Sequence, residues 1–343
     1  MPSKKISVAL VGVGNVASTF VQGLNAKNPA GVWHPKVGGF SPKDIEIVAA
    51  FDIDKRKIGK ELSDAIFEAP NVSPRLVQPK PTGVIVEPGI TKPDIPRHLA
   101  GNCIENSSIV DALKKSKAEF LLNLIPAGMQ ATSSAYANQA LEAGVSLVNA
   151  APAKIATNPA MPRKFAKKKL LVVGDDLMSQ FGGTAFHKGI LNFINSRGIR
   201  VEKSYQLDVG GGNETLNTIS EEVKMSKRDI KTESIAEEIP YKFATVAGTT
   251  DYVDYMGNNR TSYFWLSGKG FLDSPIKVDV YLRTNDGTNA VNVLLDVIRA
   301  TAFCKQKRIY GSPKEICDYG FKMLPKPVLL HKAHQDFFAK FVK

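Results

Sequence analysis

Residues 6–24 read as a buried strand, a glycine turn and a helix, and that unit limits the folds the rest of the chain can join. The strand is the apolar run Ile6, Val8, Ala9, Leu10, Val11, and it ends at Gly12-Val13-Gly14-Asn15-Val16-Ala17. In this G-x-G-x-x-A pattern Gly12 allows the sharp turn, Gly14 lets a pyrophosphate approach the backbone, and the small Ala17 lets helix and strand pack closely. The helix then points its free N–H groups and the positive end of its dipole at an anion. A glycine turn can also be only a turn, so the residues downstream of the helix decide between the two. A second apolar strand, Ile45 to Phe51, ends at Asp52, where a dinucleotide fold places the acid that accepts the ribose hydroxyls; a helix N-cap is the competing role. Asp52 favours NAD over NADP, with Lys55 and Arg56 keeping NADP open. Residues 25–43, rich in glycine and proline, lengthen the interval as an inserted loop.

From Ser107 onward, helices and strands alternate. Helices are expected at 108–116, 130–143, 161–168 and 184–197, and strands at 120–125, 145–150, 170–173 and 201–209. Upstream, a helix is expected over 55–67 and a short strand at 83–86 within a proline-rich loop. This order implies a parallel doubly wound sheet whose ligands collect at the carboxyl ends of the strands. Asn123, Pro126, Asn149, Asp175 and Asp176 stand at those ends. Past Val209 the polar Gly210-Gly211-Gly212-Asn213-Glu214 crossing leads to a charged helix over 218–238 and strands near 252–256, 262–267 and 276–283, a separate and more antiparallel sheet. A helix over 289–303 returns the chain to the first unit. The expected fold is α/β, a Rossmann-like doubly wound parallel sheet formed by residues 1–209 and 288–343. Residues 210–287 form an inserted α+β domain for catalysis and oligomerisation.

Composition narrows the function. With 45 basic and 33 acidic residues the formal net charge is +12, which suits either a nucleic-acid surface or a field that draws in a small phosphorylated substrate. The densest cluster, Arg163, Lys164, Lys167, Lys168 and Lys169, has only Phe165 among it and reads as a solvated helix face, not a nucleic-acid site. No apolar stretch is long enough to span a membrane, and Cys103, Cys304 and Cys317 are too scattered for a disulfide framework, which implies a reducing, cytoplasmic setting.

Metalloprotease, P-loop and serine-hydrolase signatures are absent, and His187 sits in an apolar helix as a packed core residue. What remains is a cationic set: Lys224, Lys227 and Lys231 at helical spacing, with Arg260 and Lys322. Lysines spaced this way share one helix face, which is either solvated or gathered around a phosphate or a developing oxyanion.

Several stretches together resemble the inositol-3-phosphate synthase (myo-inositol-1-phosphate synthase) family, in particular its prokaryotic-type branch. They are Gly12 to Ser18 with Val21-Gln22-Gly23; Ala49 to Asp54; Leu62 to Phe67; Val173 to Asp176 with Ser179-Gln180; Ser226-Lys227 with Lys231-Thr232; and Asp286 with Asn289 before Leu295-Asp296. The resemblance runs from Val8 to about Lys322. It implies an isomerase acting on D-glucose 6-phosphate, with NAD held by Gly12, Gly14, Asn15, Val16, Ala17, Asp52, Asn123, Pro126, Asn149, Asp175 and Asp176. Substrate would meet Gly211, Gly212, Asn213, Asn217, Asn289, Lys227 and Lys231. Lys227 and Lys231 would hold phosphate and polarise the C5 oxygen, Lys322 and Arg260 would stabilise the aldol oxyanion, and Asp286 would orient a lysine. It also implies a homotetramer. Asp175 and Asp176 leave a divalent or monovalent cation open. The family usually has lysine where Arg260 stands, aspartate at Asn258, lysine at Met178 and G-G-N-x-D where this chain reads Gly211-Gly212-Asn213-Glu214-Thr215. A dehydrogenase or isomerase of another sugar phosphate, or a non-catalytic dinucleotide-binding relative, are the rival readings.

Overall fold

The apolar run that opens the chain has almost no solvent exposure, because it becomes the central strand of a sheet covered on both faces. The computed structural model describes residues 5–27, 31–96, 99–104 and 106–342. In chain order, β1 (Ile6–Val11), α1 (Asn15–Asn25), β2 (Ile45–Asp52), α2 (Leu62–Ala65), β3 (Val86–Pro88), α3 (Val110–Ser116), β4 (Phe120–Asn123), α4 (Gln130–Ala143), β5 (Ser146–Asn149), α5 (Ala160–Lys167) and β6 (Val172–Val173) build the first layer set. Their sheet has the order β3-β2-β1-β4-β5-β6, all parallel. The order reverses between β1 and β4, so a crevice opens beyond their carboxyl ends, beside Gly12 and Leu124.

The chain continues through α6 (Gly183–Ser196), β7 (Arg200–Gly210), α7 (Asn213–Leu216), α8 (Glu221–Ala236), β8 (Ala244–Tyr252), β9 (Asn259–Lys269) and β10 (Pro275–Asn285). These strands form a second sheet ordered β10-β9-β7-β8. β9 runs antiparallel to both its neighbours, while β7 and β8 are parallel and therefore need the α8 crossover. One face packs on α6 and α8 around Leu191, Ile235, Phe264 and Leu266. α9 (Asp286–Gln306) then returns beneath the first sheet, burying Val291, Leu294, Leu295 and Ile298, and α10 (Lys314–Gly320) and α11 (Leu330–Phe337) close the chain.

Four expectations shift. The strand expected at 201–209 pairs in the second sheet, because its partners β8 and β9 come later in the chain. The helix expected over 55–67 shrinks to Leu62–Ala65: the Asp54 carboxylate accepts from the Arg56 N–H and guanidinium, and Gly59 takes a φ of +83°, so turns replace the first part. The strand placed at 83–86 runs instead over Val86–Pro88, and the one placed near 252–256 ends at Tyr252. The β8 sequence hides its strand because Gly248 interrupts it; there α8 packs close, and a Cβ would lie 3.3 Å from the Arg228 side chain. The inserted loop is tied to α9 through Arg299, buried and donating to the carbonyls of His34, Pro35 and Phe40 while pairing with Asp296.

Candidate active site

A cleft lies between the glycine turn and the second sheet. Gly12, Gly14, Asn15, Val16, Asp52, Pro126 and Asp176 line one side; Gly212, Asn217, Lys227, Lys231, Arg260, Asp286 and Lys322 line the other. The two groups come from the two halves of the sequence, residues 12–176 and 212–322. They meet because β10 hands directly into α9, which packs against α1.

On the nucleotide side, Gly12 has φ +88° and a Cβ there would sit 3.1 Å from the Leu124 carbonyl, whereas a Cβ at Gly14 would meet nothing within 4 Å. Gly14 caps α1 without a side-chain hydrogen bond, leaving the first turn of N–H groups for an anion. That open cradle fits a pyrophosphate. The Asp52 carboxylate accepts from the N–H groups of Val13, at 2.7 Å, and Asp54, at 2.9 Å. It thus ties the end of β2 to the glycine turn, with Lys57 3.7 Å away. Ala17 is buried under the turn as packing and does not line the cleft.

Three residues placed with the cofactor lie behind the wall. Asn123, Asn149 and Asp175 form a buried chain in which Asn123 donates to Asn149 and Asn149 to Asp175, each at 2.8 Å. Asp175 also accepts from the N–H groups of Ile155, Ala156 and Thr157 and from the Thr157 hydroxyl, so it shapes a loop. Burial nonetheless pushes its carboxyl above the usual range. Asp176 faces the cleft and pairs with Lys322 at 2.7 Å. The tail reaches that position because residues 320–323 hydrogen-bond along 175–178. Among the described residues no group of three or more His, Cys, Asp or Glu is set to hold a metal ion.

The cationic half is a set of ion pairs. Lys227 and Lys231, on the inward face of α8, are 7% and 6% exposed; Lys224 lies outside the cleft lining. Lys227 meets the Glu214 carboxylate at 2.8 Å and the Glu214 carbonyl at 3.2 Å. Burial pulls the Lys227 ammonium below its ordinary range, with Glu214 opposing. Lys231 meets Asp208 at 2.6 Å, and Asp208 also accepts from Ser262 and Gln206. Burial alone would raise the Asp208 acid, but Lys231 and Arg260 hold it at about 2. Arg260 pairs with Asp286 at 2.7 Å, so Asp286 partners the arginine where a lysine was expected. Asn289 keeps its side chain on the Asn285 carbonyl, and Gly211 packs behind the turn against Val253 and Gly257; neither lines the cleft. The Asn213 side chain lies outside the described residues.

Asp208 and Glu214 were not anticipated. Asp208 carried a signal: Ser204, Gln206 and Asp208 alternate with Tyr205, Leu207 and Val209 along β7, and it is the polar set that faces the helices. Polar residues on the covered face of a strand need a reason, and here it is Lys231 of α8 on Asp208 and His187 of α6 on Ser204 and Gln206. His187 is buried against Gln206 and Ser204, and burial lowers its imidazole to about 4, which keeps it neutral.

Inositol-3-phosphate synthase of Mycobacterium tuberculosis (strain ATCC 25618 / H37Rv) is 34% identical to this chain over 338 residues, spanning 94% of this chain and 92% of that protein. The chain belongs to the inositol-3-phosphate synthase family. The family model described as myo-inositol-1-phosphate synthase matches residues 182–287, from α6 to the start of α9, the segment that carries Lys227, Lys231, Arg260 and Asp286. The crystal structure of Ari2 is 28% identical, with a TM-score of 0.78 over 98% of each chain. Inositol-3-phosphate synthase of Caenorhabditis elegans, 16% identical, has a TM-score of 0.79 over 97% of this chain and 84% of its own, and at that identity carries the fold of this family alone.

Proposed function

We propose that this chain converts D-glucose 6-phosphate to 1D-myo-inositol 3-phosphate, an isomerisation in which NAD is used and regenerated within each turnover. The observation that carries it is the convergence of Lys227, Lys231, Arg260 and Lys322 on one cleft that also holds the glycine turn. When bound, NAD takes up and returns a hydride at sugar C5. The side chains do the rest. Lys227 and Lys231 hold the phosphate and draw electron density from the C5 oxygen, so that the C6 proton becomes acidic. Lys227, whose ammonium burial makes more acidic with Glu214 opposing, is suited to exchange that proton. Arg260 and Lys322 balance the oxyanion that forms when C6 closes on C1. Arg260 cannot shuttle a proton, so its part is charge alone, and Asp286 holds its guanidinium in place. Asp52 takes the ribose side of the cofactor, and Asn15, Val16, Pro126 and Asp176 line its path.

A homotetramer is part of the same reading. The face of the second sheet away from α6 and α8 carries Tyr205 stacked on Trp265 and Tyr263 tilted against Tyr281, with Leu207 and Tyr281 exposed. Such an apolar aromatic face suits a second copy of the chain, and light scattering tests it. No helix among the described residues is long and apolar enough to cross a membrane, and the three cysteines are free; a cytoplasmic setting fits both. A cation requirement is tested by dialysis against EDTA and by exchange of the monovalent salt, with Asp176 as the member of the Asp175–Asp176 pair that lines the cleft.

The deciding experiment incubates the protein with glucose 6-phosphate and catalytic NAD, identifying products by phosphorus NMR while following NADH absorbance. Inositol phosphate without net NADH supports the isomerase. Accumulating NADH makes the chain a dehydrogenase, and unchanged substrate with NAD bound turns the search to another sugar phosphate.

A further inference from the structure

Each of the four cations Lys227, Lys231, Arg260 and Lys322 has its own carboxylate, but the four carboxylates are not equally held. The Asp208 side chain is 1% exposed and is gripped by three neighbours; that of Glu214 is 49% exposed and meets Lys227 with one oxygen. Glu214 belongs to the four-residue α7, which follows directly on Gly211 and Gly212. Lys227, by contrast, is only 7% exposed, and a buried ammonium without a counter-charge is costly. The cleft therefore needs an anion at this point, and Glu214, the most exposed of the four carboxylates, is the one with a direct path to water.

We propose that Glu214 is a built-in stand-in for the substrate's phosphate: in the free cleft its carboxylate neutralises Lys227, and an incoming phosphate displaces it into solvent. This rests on reading the cleft as a sugar-phosphate site. Arg260 and Lys322 act on the Glu214 carboxylate together with Lys227, so it occupies the common field of three of the four cations. Two buried donors that line the same cleft, Arg260 Nε and Asn217 Nδ2, have no hydrogen-bond partner. One carboxylate oxygen cannot serve them and Lys227 together, whereas the three free oxygens of a phosphate monoester bring the acceptors they lack. Exchange of Glu214 for phosphate thus keeps Lys227 neutralised and adds hydrogen bonds. A sugar without phosphate brings no charge with which to displace the carboxylate, so Glu214 makes the cleft selective for the phosphorylated form.

The test titrates inorganic phosphate into NAD-saturated protein by calorimetry, comparing the wild type with Glu214→Gln and Glu214→Ala. With the competing charge removed, both variants bind phosphate more tightly, by about five-fold for the loss of a half-exposed ion-pair partner, and the KM for glucose 6-phosphate falls in the same direction. Unchanged or weaker phosphate binding in the variants overturns the proposal and leaves Glu214 as a residue that positions Lys227. Should Glu214→Ala fail to fold by circular dichroism, Glu214→Gln, which keeps the shape of the side chain, decides. The titration needs no turnover, so failure to cyclise glucose 6-phosphate overturns the functional proposal while the phosphate affinities still judge Glu214.

Discussion

Lys231 Nζ lies 2.6 Å from Asp208 Oδ2 at a point where Asp208 has no solvent exposure. The lysine comes from the crossover helix α8 and the aspartate from the strand before it, so the pair locks helix to sheet while aiming a cation at the cleft. Removing one partner strands the other charge in the interior. Asp208→Ala should therefore destabilise the protein by about 3–5 kcal/mol, read as a lower urea midpoint, and should lower kcat/KM. Lys231→Met, which replaces the charge with an apolar chain of similar length, should abolish turnover.

The same pair sets an acid limit. The Asp208 acid is held at about 2 in the fold against an ordinary 3.8, and the depressed value means its contribution is present above about pH 4. That contribution, about 2 kcal/mol, is lost as pH falls from 4 toward 2. An acid titration followed by circular dichroism should show stability falling through this window. The slope there should flatten in Asp208→Asn, which has no proton to take up.

Arg260 and Asp286 give a test of charge against proton transfer. Arg260→Lys keeps the charge but exchanges the planar fork for a point charge, and kcat should stay within about ten-fold of wild type if electrostatic balance is the whole role. Arg260→Met should lose about 10²–10³-fold in kcat, the scale of one deleted oxyanion donor. Steady-state rates with inositol phosphate as the product measured decide between them.

Gly12 and Gly14 should separate fold from binding. Ala at Gly12 meets the Leu124 carbonyl at 3.1 Å with φ at +88°, so Gly12→Ala should cost about 1–3 kcal/mol as well as NAD affinity. Gly14 has an ordinary φ of −93° and free space around its Cβ position. Gly14→Ala should keep its Tm while NAD binding weakens, because the methyl enters the phosphate path. Thermal melts with and without NAD distinguish the two.

Arg299 offers a stability test far from the cleft. Its guanidinium, with no exposure, holds three carbonyls of the inserted loop and the Asp296 carboxylate. Arg299→Ala should lower stability by about 3–5 kcal/mol, seen in urea denaturation, with NAD affinity in the folded fraction unaffected.

The sequence by itself determined the nucleotide half of this protein. Strand, glycine turn and helix are contiguous, and so the spacing of Gly12, Gly14 and Ala17 carries their geometry directly. The alternation from Ser107 to Val173 determined the parallel sheet in the same local way, and the helical spacing of Lys227 and Lys231 put both on one face. Local spacing has no access to partners. Whether that face met water or a cleft depended on β7, whose inward residues Gln206 and Asp208 acquire meaning only when β9 sets Ser262 opposite Asp208. The same limit moved strand 200–210 into the second sheet and took Asn149 and Asp175 behind the wall. It also gave Asp286 an arginine as its partner and revealed Glu214 on Lys227. Each of these is a contact between segments distant in the chain, and its existence is decided by how layers stack and which charges burial forces to pair.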